Sequence, residues 1–402
     1  MAVRALDGER DRLQVAASID GALLPADPDA AVYDVPAGTI DDAQADGPER
    51  RAHQPSNREP PRRQRLPLPG YVRHTQDLAD ASAPLASLYR RAMDVIEWLL
   101  DSDPAIRWQV MRDLLREPED VVAAERARVA TEGWGARLLA LQDADGNWGG
   151  APFVPRVWTP TLHVLPLLCD FGLDPAADQA RTAIGRLRDN ITSWGPGFGS
   201  AYYFEGEVEP CINGRVLASG AYFGAADERL VERLLAEQLP DGGWNCEAPQ
   251  STRSSFHSTI CVLEGLLEYE RSARARPDVT DARRRGQEYL LERRMFRSLS
   301  TGEVIDPDWL ELSYPTYWHY DVLRGLDYLR RAGVPADGRV DEALSLVESK
   351  RGPDGRWPLE NVHEGEVHFP LEDGVGTPSR WITLRALRVV EWSAGARARS
   401  SG

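Results

Sequence analysis

From about residue 85 onward, the sequence alternates between two hydrophobic patterns. Amphipathic segments with a charged face alternate with segments that are nearly apolar after a polar start. Amphipathic helices lie at a protein surface, and helices that are apolar all round lie inside it. The outer helices are predicted at 85–100, 119–141, 176–190, 227–238, 281–294 and 341–349. The inner helices are predicted at 104–115, 159–171, 211–223, 254–269, 315–329 and 378–392.

Turns that contain a tryptophan separate the predicted helices. Successive tryptophans lie 46, 50, 65 and 48 positions apart, at Trp148, Trp194, Trp244, Trp309 and Trp357. A nearly regular period of this length indicates a repeat architecture, and Asp-Gly pairs before tryptophan can end an outer helix sharply. Six outer and six inner helices that close on themselves would form an all-α (α/α)6 toroid. We expect it to span 85–395, between a disordered, Pro- and Arg-rich extension (1–84) and a flexible tail (396–402).

Composition narrows the possible functions. The formal net charge of −16 disfavours nucleic acid as a partner. Lys350 is the only lysine, which argues against Schiff-base chemistry and excludes a P-loop. Four cysteines in 402 residues are not a disulfide framework, and no apolar run is long enough for a transmembrane segment. We expect a cytoplasmic protein, and the pattern leaves open a partner protein or a homo-oligomer.

The tryptophan turns carry a resemblance to known proteins. Two of them follow the pattern Q-x-x-D-G-x-W, at 142–148 and 238–244. This pattern resembles the QW-type repeats of squalene–hopene cyclases and the matching turns of protein prenyltransferase β subunits. The likeness covers 85–395 and implies an α-α toroid whose inner helices point their N-terminal ends into one mouth of a central cavity. It implies an enzyme without defining the reaction.

Polar residues open two of the predicted inner helices in a pattern that suggests a metal site. Glu209 and Cys211 begin one helix, and His257 begins the next; together they supply carboxylate, thiol and imidazole ligands. The segment Glu209-Pro-Cys211 is similar to the Asp-x-Cys zinc motif of prenyltransferase β subunits, and the segment around His257 to the family's histidine. The resemblance implies Zn²⁺ bound by these three residues. Cys246 is a reserve ligand, because its turn is expected to face away from the cavity.

Further candidates lie near the starts of the inner helices. Glu205, Glu207, His319 and Asp321 are candidate catalytic residues; either glutamate could donate a proton if burial raises its pKa. The candidate substrate-binding residues are Trp108, Trp158, Arg253, Tyr317, Arg380 and Trp381. Glutamates at the mouth would repel a diphosphate, so an apolar small molecule is the expected substrate.

Three functions remain open from the sequence. The first is a zinc-dependent, transferase-type enzyme that acts on an apolar small molecule or a thiol. The second is a metal-free terpenoid cyclase or isomerase that uses an acidic residue as proton donor. The third is a non-catalytic toroid that binds a ligand or a protein. The Cys-His pair beside a carboxylate favours the first, and the metal content of the purified protein separates them best.

Overall fold

The computed structural model describes residues 93–154, 157–190, 194, 202–272 and 276–400, with side chains to residue 395. The predicted extension (1–84) lies outside the described residues. The helices are α1 (93–100), α2 (Pro104–Val110), α3 (Glu119–Ala127), α4 (Gly133–Ala140), α5 (Thr161–Phe171), α6 (Asp178–Asp189), α7 (Pro210–Tyr222), α8 (Glu228–Ala236), α9 (Phe256–Arg271), α10 (Pro277–Glu292), α11 (Val322–Arg331), α12 (Asp341–Ser349) and α13 (Arg380–Ser400). In these ranges β-structure is limited to isolated bridges, so the all-α class is confirmed. Within them, no helix combines the length and the apolar character that a membrane span requires.

Buried and exposed helices alternate along the chain as the pattern predicts. Eleven of the sixteen residues of α9 are buried, against three of the nine residues of α8. The buried helices α2, α5, α7, α9, α11 and α13 surround a common centre. Helix α13 returns to α2, where Arg388 donates a hydrogen bond to Gln109 at 2.8 Å. The count of six inner and six outer helices stays a prediction, because the structure divides one of the outer segments.

Glycines allow a close approach between α7 and α9. A Cβ atom on Gly214 would lie 2.5 Å from the carbonyl oxygen of Cys261, and one on Gly265 would lie 2.4 Å from the carbonyl oxygen of Gly214. Both distances are well inside van der Waals contact. The two helices can therefore pack backbone to backbone only because these positions lack a side chain.

Several boundaries differ from the predicted ones. The predicted helix 119–141 is two helices, because Gly133 turns the chain with φ +65° and a Cβ atom there would meet the Asp103 carboxylate. The predicted helix 315–329 begins only at Val322, since the Asp321 side chain accepts the backbone N–H of Arg324 and caps the helix there. Helix α13 continues to Ser400, past the predicted helix end at residue 392 and into the predicted tail (396–402).

Three of the tryptophan turns share one geometry. Trp148, Trp244 and Trp357 are fully buried, and each indole N–H donates at 2.7 Å to a carbonyl ten residues earlier. Each backbone N–H donates to a threonine hydroxyl in the next inner helix, at 3.0–3.1 Å. One tryptophan thus fastens an outer helix to the inner helix that follows. Trp194 and Trp309 are also buried, but within the described ranges their indole nitrogens have no hydrogen-bond partner.

Candidate functional site

Two thiols and a carboxylate meet at the N-terminal end of α7. Glu209 precedes the helix, Cys211 lies in its first turn, and Cys246 comes from the tryptophan turn before α9. Their potential ligand atoms all lie within 4.8 Å of one another, and Cys211 Sγ is 3.6 Å from Glu209 Oε2. The Ser258 hydroxyl accepts the backbone N–H of Cys246 at 3.3 Å and lies 3.2 Å from its sulfur. We call these three residues the thiol cluster.

The electrostatics of the thiol cluster suit a cation. The hydrogen bond to Cys246, together with burial, raises the pKa of Cys211 well above its usual value, and the Glu209 charge adds to the effect. Two thiolates and a carboxylate so close together would repel one another strongly without a counterion. Zinc–sulfur and zinc–oxygen bonds of about 2.0–2.3 Å place neighbouring ligands roughly 3–4 Å apart. The residues therefore fit a divalent ion after small side-chain movements.

Cys246, the expected reserve ligand, lies in the thiol cluster, whereas His257, an expected ligand, does not. The turn that carries Cys246 brings its sulfur close to Cys211, and none of the three residues of the thiol cluster lines the central cavity described below. His257 is outside the group; its Nδ1 accepts the backbone N–H of Tyr320 at 2.8 Å. Burial lowers the pKa of His257 to about 3, so its imidazole is neutral. Its ring packs edge-on against Trp318, with centroids 5.1 Å apart.

The two candidate proton donors before α7 have structural partners. Glu205 ion-pairs with Arg229 in the first turn of the outer helix α8. Glu207 is 2% exposed and accepts the backbone N–H groups of Val208 and Glu209. Burial, followed by the charge of Glu209, raises the pKa of Glu207 to about 8. Both carboxylates thus hold the chain that leads into α7, and neither lines the central cavity described below.

An aromatic layer covers the N-terminal ends of several inner helices. Trp158 stacks on Tyr317 with ring centroids 4.2 Å apart, and its indole N–H donates to the carbonyls of His363 and Glu364. His319 stacks on His363 at 3.6 Å. Burial lowers the pKa of His319 to about 2 and that of His363 to about 4, so both rings are neutral. We call His257, His319 and His363 the mouth histidines.

Three further candidate residues, Asp321, Arg253 and Arg380, are not part of the aromatic layer. Asp321 is buried and accepts the Ser313 hydroxyl at 2.8 Å, in addition to capping α11. Arg253 is exposed in the loop before α9. Arg380 donates to the carbonyls of Trp98 and Asp101 between α1 and α2. Asp321 and Arg380 thus hold helix ends and loops, and none of the three residues lines the central cavity.

A cavity of about 540 Å³ lies between the inner helices, and all six contribute side chains to it. Of the predicted substrate-binding residues, Trp108, Tyr317 and Trp381 line it. Four carboxylates line it, from Asp170, Glu264, Glu268 and Asp327. Nine arginines line it: Arg112, Arg126, Arg215, Arg271, Arg324, Arg330, Arg331, Arg385 and Arg388. The three glutamates near residue 207 are not part of this lining, so their repulsion does not govern an anion in the cavity.

The arginine lining is the feature that sequence reasoning missed. The sequence does contain a sign of this lining, because charged residues repeat along one face of inner helices that are otherwise apolar. Arg324, Asp327 and Arg331 follow one another at spacings of three and four residues, and Trp381, Arg385 and Arg388 do the same. Such spacing places side chains on one face of a helix. A charged stripe within a buried helix therefore points to a polar lumen.

Comparisons with known proteins give structural likenesses only. No family model matches the chain, and no curated protein matches it. A protein of known structure from Actinoplanes is 19% identical, with 77% of this chain and 99% of that chain covered and a TM-score of 0.38. The type II terpene cyclase MstE from Scytonema is 14% identical, with 76% and 99% covered and a TM-score of 0.39. These identities and TM-scores are too low to establish a family or an activity.

Proposed function

We propose that the protein is an enzyme that acts on a small molecule and uses a zinc ion bound by Glu209, Cys211 and Cys246. The observation that carries this proposal is the convergence of two thiols and a carboxylate within 4.8 Å. Cys246 replaces His257 in the ligand set that the sequence suggests. Two sulfur ligands favour zinc over calcium or magnesium, which prefer oxygen.

The protein's own groups support such a centre. Cys211 lies in the first turn of α7, where the positive end of the helix dipole offsets part of the cost of a thiolate, and a bound zinc ion would supply the rest. Ser258 fixes Cys246, since its hydroxyl contacts both the backbone N–H and the sulfur. Zinc with three protein ligands keeps an open position and can polarise a bound group or hold a thiolate.

The thiol cluster is not part of the cavity lining, but it lies about one helical turn from that lining along α7. Arg215 lines the cavity and follows Cys211 by four residues on α7, which is about one helical turn. A molecule in the cavity could therefore place one end near the thiol cluster. The alternative proton-donor mechanism has less support, because Glu205 is ion-paired and Glu207 accepts backbone hydrogen bonds. A non-catalytic toroid would bind the same molecule without converting it.

The test is the zinc content of the purified protein and of single-cysteine variants. We expect about one zinc per chain, as in single-site enzymes, and loss of that zinc in Cys211→Ala and Cys246→Ala. Cys261→Ala is the matched control, because Cys261 is a fully buried thiol of α9 outside the thiol cluster. His257→Ala should also retain zinc. Wild-type protein without zinc, or variants of both cluster cysteines that retain it, would contradict the proposal.

A further inference from the structure

The central cavity carries more positive charge than its own side chains neutralise. Its nine arginines face four carboxylates, so the lining has an excess of five positive charges. One further carboxylate, Asp113, ion-pairs with Arg112 and Arg388 from outside the lining. A chain with a formal net charge of −16 thus concentrates positive charge at its centre. Clefts lined by one sign of charge focus ions of the opposite sign.

Arg215 is the clearest case of a charge without a counterion. Its side chain is buried at 4% exposure and donates at 2.8 Å to the carbonyl of Leu162. Its other described contact is with Nδ1 of His163, at 3.1 Å. No carboxylate pairs with it within the described ranges, and burial lowers its pKa from the usual value. A buried charge without a partner is strongly unfavourable, so an anion beside it would stabilise the fold.

Three further polar atoms at the cavity have no partner. His163 Nε2, Trp381 Nε1 and Arg388 Nε are buried and make no hydrogen bond to any residue that the structure describes. All three residues line this cavity. Buried polar groups are nearly always hydrogen-bonded, and the Arg and Trp nitrogens can only donate. Each of these nitrogens lacks an acceptor, and an oxygen of an anion in the cavity would supply one once the side chain turns toward it.

We propose that the central cavity binds a small anion of the phosphate or diphosphate class, either free or as the head of a larger molecule. Planar guanidinium groups match phosphate oxygens in pairs and hold them more firmly than chloride. The walls formed by Trp108, Tyr317 and Trp381 add apolar surface for an organic part. This inference does not require zinc, so it stands apart from the proposed function.

The exposure of the arginines indicates where the anion enters. The side chains of Arg112 and Arg271 are 51% and 42% exposed, whereas those of Arg324 and Arg388 are 5% and 6% exposed. Arg271 is the last residue of α9, and Arg112 follows the end of α2 by two residues. The opposite ends carry the aromatic layer. An anion therefore enters at the C-terminal ends of the inner helices and passes exposed arginines before it reaches buried ones.

Isothermal titration calorimetry of the full chain with pyrophosphate tests the inference. We expect saturable binding that weakens as sodium chloride is raised, because salt screens the charges at the entrance. Geranyl diphosphate is the second probe. Tighter binding than pyrophosphate identifies an organic diphosphate as the ligand class, and equal binding identifies the free anion. Titrations of chelator-treated protein should give the same affinities, which separates this inference from the zinc proposal.

Two substitutions with opposite expected effects on affinity test whether pyrophosphate binds in the cavity. Arg215→Met should weaken pyrophosphate binding at least tenfold, while Glu264→Gln should tighten it severalfold by removing a lining negative charge. Arg339→Met is the matched control, because Arg339 is a surface residue paired with Asp337 and Glu288. If Arg215→Met does not fold, Glu264→Gln still decides. Absence of binding by either probe, or an affinity that Glu264→Gln leaves unchanged, would overturn the inference.

Discussion

Replacement of Trp244 tests how the turns hold the fold together. The indole is fully buried, its N–H donates to the Leu234 carbonyl at 2.7 Å, and it packs so closely on α10 that a Cβ atom at Gly286 would lie 3.0 Å from the ring. A tryptophan buries roughly 150–250 Å², and at about 25 cal/mol per Å² that area is worth about 4–6 kcal/mol. Measured costs of Trp→Ala in protein cores are about 3–5 kcal/mol.

We therefore expect Trp244→Ala to lower the free energy of unfolding by about 3–5 kcal/mol. Trp244→Phe keeps an aromatic ring but leaves the Leu234 carbonyl without its donor, which should cost about 1–3 kcal/mol. The assay is urea unfolding followed by far-ultraviolet circular dichroism. Trp98→Ala is the control, because Trp98 is only half-buried and should cost less. A loss below about 1 kcal/mol in Trp244→Ala would refute the role given to the tryptophan turns.

Three other predictions concern the fold. Because the mouth histidines have lowered pKa values in the folded protein, protonation of the unfolded chain should destabilise the fold as pH falls below about 6.5, by about 4 kcal/mol for the three together at pH 5.5. Glu207 and Glu372 have raised pKa values, which make the fold gain stability over the same pH range, so the histidine effect is measured as a difference between variants. His363→Gln should remove about 1 kcal/mol of the destabilisation that histidine protonation causes between pH 7 and pH 5.5 in urea unfolding, and a pH dependence equal to that of the wild type would contradict this. Gly214→Ala should cost about 1–3 kcal/mol in urea unfolding, because its Cβ would meet the Cys261 carbonyl, and an unchanged stability would show that α7 and α9 can separate. Limited proteolysis should leave a core that begins near 85–93, whereas stable fragments that begin near residue 224 would argue against a closed ring of helices.

The alternation of inner and outer helices could be predicted from the sequence, because burial selects a periodic pattern of apolar residues. The bounds of α12 match the prediction, and each inner helix overlaps a segment that its apolar residues predict. The break at Gly133 was not readable, because it depends on Asp103, thirty residues earlier, approaching the glycine. The late start of α11 likewise depends on a competition that periodicity does not show, in which Asp321 caps the helix.

The candidate site could likewise be predicted from the sequence only in part. Glu209 and Cys211 lie two residues apart, so their proximity follows from local sequence. Cys246 joins them only because the tryptophan turn before α9 folds over the end of α7, and no spacing in the sequence reports that. The pattern made His257 the natural third ligand, yet the backbone N–H of Tyr320 occupies its Nδ1. Long-range packing thus decides which side chains meet.

Cobalt titration of metal-free protein tests the central claim most directly, because sulfur-to-cobalt charge-transfer absorption grows with the number of thiolate ligands. We expect wild-type protein to bind one Co²⁺ with the absorption of two thiolates, and zinc to displace it. Cys246→Ala should show about half that absorption and weaker binding, while His257→Ala and Cys261→Ala should match the wild type. Wild-type absorption in Cys246→Ala, or no charge-transfer band in the wild-type protein, would contradict a metal centre at the thiol cluster.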